Sequence, residues 1–267
     1  MSELKVSHLK KDFELRNGLK TTTIHAVKDA NFTLESGKTI ALVGESGSGK
    51  STIARMIMSL ETPTSGEITL DGKPVPKGGK ALYDYRHNVQ MVFQDPFASL
   101  NPYHNIYHHI SRPMKINHMA SSEEEYEHMA LELLERVDLH PAEAYMWRRP
   151  HELSGGQRQR VAIARAIAPK PKVLIADEPV SMLDVSLRLG VLTMLARIQR
   201  EDQLAMLYIT HDLATARHFS DEVMVMYHGD IVEYGPSDEV ILNPQNDYTK
   251  VLLNAAPNPD AFFADKK

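Results

Sequence analysis

Residues 40–60 read IALVGESGSGKSTIARMIMSL and join a buried strand, a glycine-rich turn and a helix. The apolar run from Ile40 to Gly44 is typical of a short strand that is buried on both faces. After the turn, the apolar residues recur at helical spacing. They are Ile53, Met56, Ile57 and Leu60. A buried strand that leads through glycines into a helix predicts an α/β fold, with helices covering both faces of a sheet.

The turn itself, GESGSGKS from Gly44 to Ser51, fits the pattern G-x-x-x-x-G-K-[ST]. Its glycines let successive backbone N–H groups point at phosphate oxygens, and the next helix start adds partial positive charge. In this pattern Lys50 reaches the β- and γ-phosphates, and the Ser51 hydroxyl is a ligand of Mg²⁺. We therefore predict a nucleoside triphosphate site. Its predicted contact residues are Gly44, Glu45, Ser46, Gly47, Ser48, Gly49, Lys50, Ser51 and Thr52.

Two later runs, VLIAD from Val173 and AMLYIT from Ala205, also predict buried strands. The first ends in two carboxylates. Asp177 can hold Mg²⁺ through water, and Glu178 can polarise an attacking water molecule. An apolar run that ends in Asp-Glu is common, and a solvated strand end explains it equally well. The phosphate-binding loop earlier in the chain makes the catalytic interpretation more specific.

A second possible anion site is LSGGQ, from Leu153 to Gln157, which precedes the arginine-rich helix GQRQRVAIARAIA. Exposed N–H groups, the Ser154 hydroxyl and a helix N-terminus can bind a phosphate. The simpler interpretation is a serine N-cap at the start of a helix. The chain thus has two helix N-termini that can bind phosphate but one phosphate-loop lysine. This suggests a composite site, to which both helix N-termini contribute.

The rest of the chain predicts two additions to the α/β core. Leu4 to Leu34 and Glu67 to Val92 resemble shorter strands with turns, which suggests an antiparallel portion. Residues 95–152 lack a strong strand pattern and contain a helix from Glu123 to about Val137, begun by Ser122 with Glu125 three residues on.

We expect one nucleotide-binding domain over residues 1–254. Its core would comprise residues 1–94 and 153–254, and residues 95–152 would form a helical subdomain. Residues 255–267 would be a loosely ordered tail.

Composition narrows the functional classes. The chain has 267 residues, a formal charge of −5 and no cysteine. Disulfides, thiolate metal sites, iron–sulfur clusters and cysteine nucleophiles are therefore excluded, and we expect no nucleic-acid partner. Because the sequence has neither a long apolar run nor a secretion signal, we expect a soluble cytoplasmic protein.

Over nearly its whole length the chain resembles the nucleotide-binding subunits of ATP-binding cassette (ABC) transporters. The family's motifs stand in the expected order. They are the phosphate loop at Gly44, the glutamine loop at Gln94, the signature at Leu153, Walker B at Asp177, the D-loop ending at Asp184 and the switch histidine His211. The resemblance implies a P-loop NTPase core and two subunits that sandwich two ATP molecules with Mg²⁺. The signature residues that would cap the partner's nucleotide are Ser154, Gly155, Gly156 and Gln157.

The resemblance also implies individual roles. Gln94 would contact Mg²⁺ and the attacking water, and His211 would reach the γ-phosphate. Asp184 would lie at the contact between subunits. Phe13 would stack on adenine, although ordinary core packing also explains an aromatic residue there.

The longer sequence segments around these motifs resemble those of the ATPases of dipeptide and oligopeptide importers. It includes VFQDPFASLNP from Val92, PHELSGGQRQR from Pro150 and DYTKVLL from Asp247. The resemblance implies an ATPase at the cytoplasmic face of the membrane that energises peptide uptake. Its partners would be a second ATPase subunit, identical or different, two permease subunits and, indirectly, an extracellular solute-binding protein.

Several alternatives stay open at this point. The transported solute could be an oligosaccharide or nickel, and an exporter or a non-transport ATPase is a weaker alternative. The segment from Asp95 to Pro113 would receive a permease helix. Phe97, Leu100 and Tyr103 suit such a groove, and core packing explains them equally well. Many relatives carry an iron–sulfur cluster in a cysteine-rich tail, and we expect no such cluster here.

Overall fold

The computed structural model describes residues 2–18 and 20–255, in which the strands form two sheets. The strands are β1 Glu3–Asn17, β2 Lys20–Glu35, β3 Thr39–Val43, β4 Ser65–Leu70, β5 Lys73–Pro74, β6 Val89–Val92, β7 Val173–Asp177, β8 Ala205–Thr210, β9 Glu222–Tyr227 and β10 Asp230–Pro236. The helices are α1 Lys50–Ile57, α2 Gly79–Asn88, α3 Pro96–Ser99, α4 Ile106–Ile116, α5 Glu123–Arg136, α6 Glu143–Met146, α7 Gly155–Ile167, α8 Val185–Asp202, α9 Leu213–Phe219, α10 Ser237–Leu242 and α11 Asp247–Ala255.

The larger sheet has six strands in the order β10-β9-β3-β8-β7-β6. Adjacent strands from β9 to β6 are parallel, and β10 pairs antiparallel with β9 at one edge of the sheet. Every residue of β3, β7 and β8 is buried, as the continuous apolar runs predict. This confirms the predicted α/β core. The carboxyl ends of the parallel strands meet at one edge, and ligands bind there in sheets of this kind.

The smaller sheet is antiparallel, in the order β2-β1-β4-β5. An antiparallel portion was predicted, but the expected short strands from Leu4 to Leu34 are two long ones. The breaks in the sequence pattern are register shifts within β1, one of them next to His8, which has a φ of 48°. A bulge inserts a residue without ending the strand, so local sequence suggests an end where pairing continues.

The prediction of short strands from Glu67 to Val92 is wrong for residues 79–88, which form helix α2. The buried Tyr85 hydroxyl donates to the carbonyl of Ile57 at 2.6 Å, and Arg86 donates to that of Ser59 at 2.9 Å. These contacts bind α2 to the end of α1, which the local pattern could not indicate. The following strand, β6, pairs with β7 in the parallel sheet.

The segment between β6 and α7 contains helices α3 to α6 and a 3-10 turn, Pro150–Glu152, and no strand is described there. Helix α5 was predicted within one residue of its observed end. The Ser122 hydroxyl accepts the Glu125 N–H at 3.2 Å, and the Glu125 carboxylate accepts the N–H of Ser121, one residue before the N-cap. The expected tail lies outside the described residues from residue 256 onward.

The core divides into two clusters of buried apolar side chains. One contains Leu42, Ile53 and Ile175 and packs with the antiparallel sheet, while the other contains Val43, Leu134 and Ile163 and includes the helical segment. The sheet therefore holds the loops at its carboxyl edge between two buried cores. Over residues 2–18 and 20–255, no helix is long and apolar enough to cross a membrane.

Candidate nucleotide-binding and hydrolysis site

The glycine-rich loop follows β3 and passes close to two other backbone segments. A Cβ at Gly44 would lie 2.2 Å from the carbonyl oxygen of Met226, and one at Gly49 would lie 2.2 Å from that of Ala26. The φ angles of Gly44 and Gly49 are 152° and 115°. Only glycine meets both the spacing and these dihedral angles, so the loop conformation depends on these residues.

Lys50 begins α1 and folds back over the loop, with 5% of its surface exposed. Its Nζ donates to the carbonyl oxygens of Gly44 and Glu45, at 2.7 and 2.8 Å. Burial lowers the pKa of the Lys50 amine, and the carboxylates of Glu178 and Asp177 oppose that shift. The amine is thus held at the mouth of the loop, where a phosphate group can replace the two carbonyl acceptors.

A cleft of about 500 Å³ opens over the loop. Among the predicted loop residues, its walls include Ser46, Gly47, Gly49, Lys50, Ser51 and Thr52. Gly44, Glu45 and Ser48 belong to the loop without lining the cleft. Ile24 and His25 of β2 form another part of the wall, together with His228 of the β9–β10 turn.

Asp177 is the last residue of β7 and is buried beside the loop. The Ser51 hydroxyl lies 3.4 Å from Asp177 Oδ1 and donates to it. Burial raises the pKa of this carboxyl, and the neighbouring Glu178 adds to the shift, whereas Ser51 and Lys50 lower it. Burial destabilises the ionised form of the carboxyl, and a nearby cation would stabilise that form.

Mg²⁺ fits the donor set at this point. A hydroxyl, a carboxylate and the amide oxygen of Gln94 are the hard oxygen ligands that Mg²⁺ prefers. Within the part of the chain that the structure describes, no group of three or more His, Cys, Asp or Glu side chains could hold a metal ion. The ion would therefore share its coordination with phosphate oxygens and water.

Glu178 lies between two predicted site residues. Gln94 Nε2 donates to Glu178 Oε2 at 2.8 Å, and His211 Nδ1 is 3.4 Å from Glu178 Oε1. The backbone of Glu178 has a φ of 45° and its N–H donates to the carbonyl of Ile209 at 2.9 Å. Gln94, Glu178 and His211 follow three adjacent strands, β6, β7 and β8, so sheet register brings them together.

The signature residues form a separate surface. Ser154 is the N-cap of α7, and its hydroxyl accepts the Gln157 N–H at 3.3 Å while Gln157 Oε1 accepts the Ser154 N–H at 2.9 Å. Ser154, Gly155, Gly156 and Gln157 do not line the cleft over the phosphate loop. Asp184, the N-cap of α8, does not line it either.

Phe13 is also absent from the walls of that cleft. It lies on β1 opposite Ile24, and Lys11 Nζ is 4.8 Å from the centre of its ring. Ile24, its cross-strand neighbour, does line the cleft.

Two contacts that hold the phosphate loop could not be predicted from the sequence. The N–H of Gly229, in the β9–β10 turn, donates to the carbonyl of Ser48 at 3.0 Å. The hydroxyl of Tyr248, in α11, accepts the N–H of Glu45 at 3.2 Å. The motif DYTKVLL was a signal for Tyr248, but nothing in it indicates a contact with the loop.

The phosphate loop lies between a buried parallel strand and a helix, and the carboxylates lie at the end of another strand of the same sheet. This arrangement defines a P-loop nucleoside triphosphatase. The family model described as "ABC transporter" matches residues 27–181. The chain therefore belongs to the ABC transporter ATPase family.

Relatives and solved structures agree with this family. The chain is 44% identical over 259 residues to the oligopeptide transport ATP-binding protein OppF of Bacillus subtilis, covering 96% of this chain and 83% of the relative. It is 44% identical over 261 residues to the glutathione import ATP-binding protein GsiA of Pectobacterium atrosepticum, covering 96% of this chain and 41% of that relative.

Among solved structures, the dimeric ATP-binding cassette MJ0796, in a post-hydrolysis state bound to ADP and Pi, gives a TM-score of 0.77 at 30% identity. The match covers 88% of this chain and 98% of that one. The cassette cbiO1 of Clostridium perfringens gives the same TM-score and identity, covering 99% of this chain and 98% of that chain.

Proposed function

We propose that this chain is the ATP-hydrolysing subunit of an importer that takes up peptides. The observation that carries the catalytic part is the position of Glu178, held by Gln94 and near His211 at the sheet edge that carries the phosphate loop. A carboxylate fixed there can orient and deprotonate the water that attacks the γ-phosphate.

The other residues of the edge would bind and neutralise the triphosphate. Loop N–H groups and Lys50 would hold the phosphates, and His211 would contact the γ-phosphate. Ser51, Asp177 and Gln94 would hold Mg²⁺. The bound ion would supply positive charge that stabilises the phosphate oxygens in the transition state.

The working site would be shared between two ATPase subunits. The signature at the start of α7 lies away from the cleft of its own chain, and its helix N-terminus suits a phosphate. Ser154, Gly155, Gly156 and Gln157 would therefore cap ATP bound by the other subunit, with Asp184 at the contact. The second subunit is a copy of this chain or a different ATPase chain.

We propose that Phe13 stacks on adenine at the edge of the cleft. It pairs across the strands with Ile24, which lines the cleft, and directly paired residues lie on the same face of the sheet.

The permease would dock beside Gln94. A cavity of about 880 Å³ extends from Gln94 along α4 and is lined by Phe93, His104 and Ile116 among others. Tyr103 is 83% exposed and Phe97 48%, so both are available to a partner, whereas Leu100, at 2%, is a core residue. With a permease docked there, the chain would lie at the cytoplasmic face of the membrane, against two permease subunits.

Peptides are the preferred solute because two relatives over this length are named for oligopeptide and glutathione import, and glutathione is itself a short peptide. Oligosaccharide and nickel import remain the alternatives, with a solute-binding protein as the indirect partner in each case.

Uptake of labelled peptides in cells that lack the chain tests this proposal. Wild type should restore uptake, and Glu178→Gln should reduce it by at least a hundredfold, since a general base contributes about 10²–10⁴ in rate. Glu124→Gln, an exposed change in α5, is the control and should restore uptake fully. Uptake of labelled oligosaccharides instead of peptides would contradict the solute, and full activity of Glu178→Gln would contradict the mechanism.

A further inference from the structure

Helix α11 is anchored next to the phosphate loop. Tyr248, Leu252 and Leu253 pack against the larger core cluster, and Thr249 has no exposed surface. The Tyr248 ring lies 4.0 Å, centre to centre, from the ring of Tyr227 at the end of β9. This pair fixes the direction of the Tyr248 hydroxyl.

That hydroxyl accepts a hydrogen bond from the backbone N–H of Glu45, at 3.2 Å. The carbonyl of the same residue accepts from Lys50 Nζ at 2.8 Å and from the Ser48 N–H at 3.2 Å. Glu45 is thus held from outside by α11 and from inside by the lysine and the loop itself. Because Glu45 does not line the cleft, the bond from Tyr248 leaves the phosphate-facing surface free.

We propose that Tyr248 is a positioning residue for ATP binding, whose hydroxyl holds the Glu45 backbone, and with it the loop, in the conformation that receives phosphate. This inference rests on the proposed function, since it presupposes that ATP binds at the loop. Without the bond, the loop would occupy its binding-competent conformation for a smaller fraction of the time. The apparent affinity would fall by that fraction, whereas the hydrolytic residues would be untouched.

The test compares the affinity of the full chain for Mg-ATP in wild type, Tyr248→Phe, Tyr227→Phe and Lys50→Ala, by calorimetry below the unfolding temperature. Tyr248→Phe removes the hydroxyl and keeps the ring. Tyr227→Phe is the matched control, since it removes a hydroxyl from the same ring pair and no described bond joins that hydroxyl to the loop. Lys50→Ala reports directly on binding at the loop.

Tyr248→Phe should raise the dissociation constant about three- to tenfold, as expected for one lost neutral hydrogen bond. Tyr227→Phe should stay within about twofold of wild type. In steady-state hydrolysis by the assembled complex, Tyr248→Phe should raise KM by the same factor and leave kcat within about twofold.

Equal affinities for Tyr248→Phe and Tyr227→Phe would overturn the inference, as would a fall in kcat with unchanged KM. If Lys50→Ala weakens binding while Tyr248→Phe does not, the inference alone fails. Absence of Mg-ATP binding by the wild-type chain would overturn the proposed function, and the inference with it.

Discussion

At the scale of single residues, the site combines groups whose charge is disfavoured by their surroundings. Burial raises the pKa of Asp177 and lowers that of Lys50, so each group is less stable in its charged form than it would be in water. ATP and Mg²⁺ would supply opposite charges to both. The same residues that would bind the nucleotide therefore reduce the stability of the chain without it.

Asp177→Asn tests whether a residue that would bind the nucleotide lowers the stability of the nucleotide-free chain. The folded-state pKa of Asp177 lies above its usual value near 3.8, so ionisation costs stability as pH rises through the folded pKa. At pH 7 the variant should unfold about 2–4 °C higher than wild type, the shift that ~1 kcal/mol gives in a domain of similar size. Thermal unfolding without nucleotide measures it.

The gain should shrink as pH falls through the folded pKa of Asp177 and should disappear below the usual value near 3.8, where both proteins carry a neutral side chain. Mg²⁺-dependent ATP binding should be lost in the variant. Asp71→Asn, an exposed carboxylate paired with Lys172, is the control and should not be stabilising. A lower melting temperature for Asp177→Asn at pH 7 would contradict the argument.

At the scale of elements, one acidic residue that follows α5 contacts two helices of the core. Asp138 accepts from Arg160 of α7 and Arg197 of α8, both at 2.8 Å. The same arginines donate to the carbonyls of Val137 and Arg136, at 2.7 and 2.6 Å. This junction links α5 to the signature helix and to the helix that follows the D-loop.

Asp138→Asn should therefore destabilise the chain by about 1–2 kcal/mol, because it weakens two charged hydrogen bonds that are partly exposed. Burial alone would raise the pKa of Asp138, but the two arginines outweigh it and lower the pKa below 3.8. The stabilisation is present above the unfolded pKa and is lost as pH falls through the lower folded pKa. Asn suits the φ of 54° at this position, so the variant tests charge rather than backbone strain.

Denaturant unfolding at pH 7 and near pH 3 measures this effect. The difference between wild type and Asp138→Asn should shrink at the lower pH. An equal difference at both values would show that the carboxylate charge is not the cause.

At the scale of the whole molecule, the separation of the signature from the cleft predicts an ATP-dependent dimer. A Glu178→Gln chain with Mg-ATP should elute as a dimer, because hydrolysis no longer releases the shared nucleotide. Adding Ser154→Arg should return it to a monomer and leave ATP binding intact, since the bulky side chain blocks the partner's phosphate. Size-exclusion chromatography with light scattering measures both states.

Ser122→Arg is the matched control, because Ser122 caps α5 as Ser154 caps α7. It should cost about 1 kcal/mol of stability and leave the dimer in place. A dimer that survives Ser154→Arg would contradict the composite site. A Glu178→Gln chain that stays monomeric would point to a different second subunit.

The local sequence was sufficient for the features that depend on neighbouring residues. Gly44 and Gly49 fit a tight loop, a continuous apolar run predicts β7, and Ser122 begins α5. Each depends on backbone preferences or hydrogen bonds within a few residues, so a linear pattern is enough to predict it.

Which distant groups meet depends on long-range pairing and packing. The register of β6, β7 and β8 placed Gln94 and His211 beside Glu178, and the contacts of Tyr85 made residues 79–88 a helix instead of a strand. The same is true of Tyr248, which reaches Glu45 across 203 positions of sequence. These outcomes depend on strand pairing and packing between remote segments, which no local pattern contains.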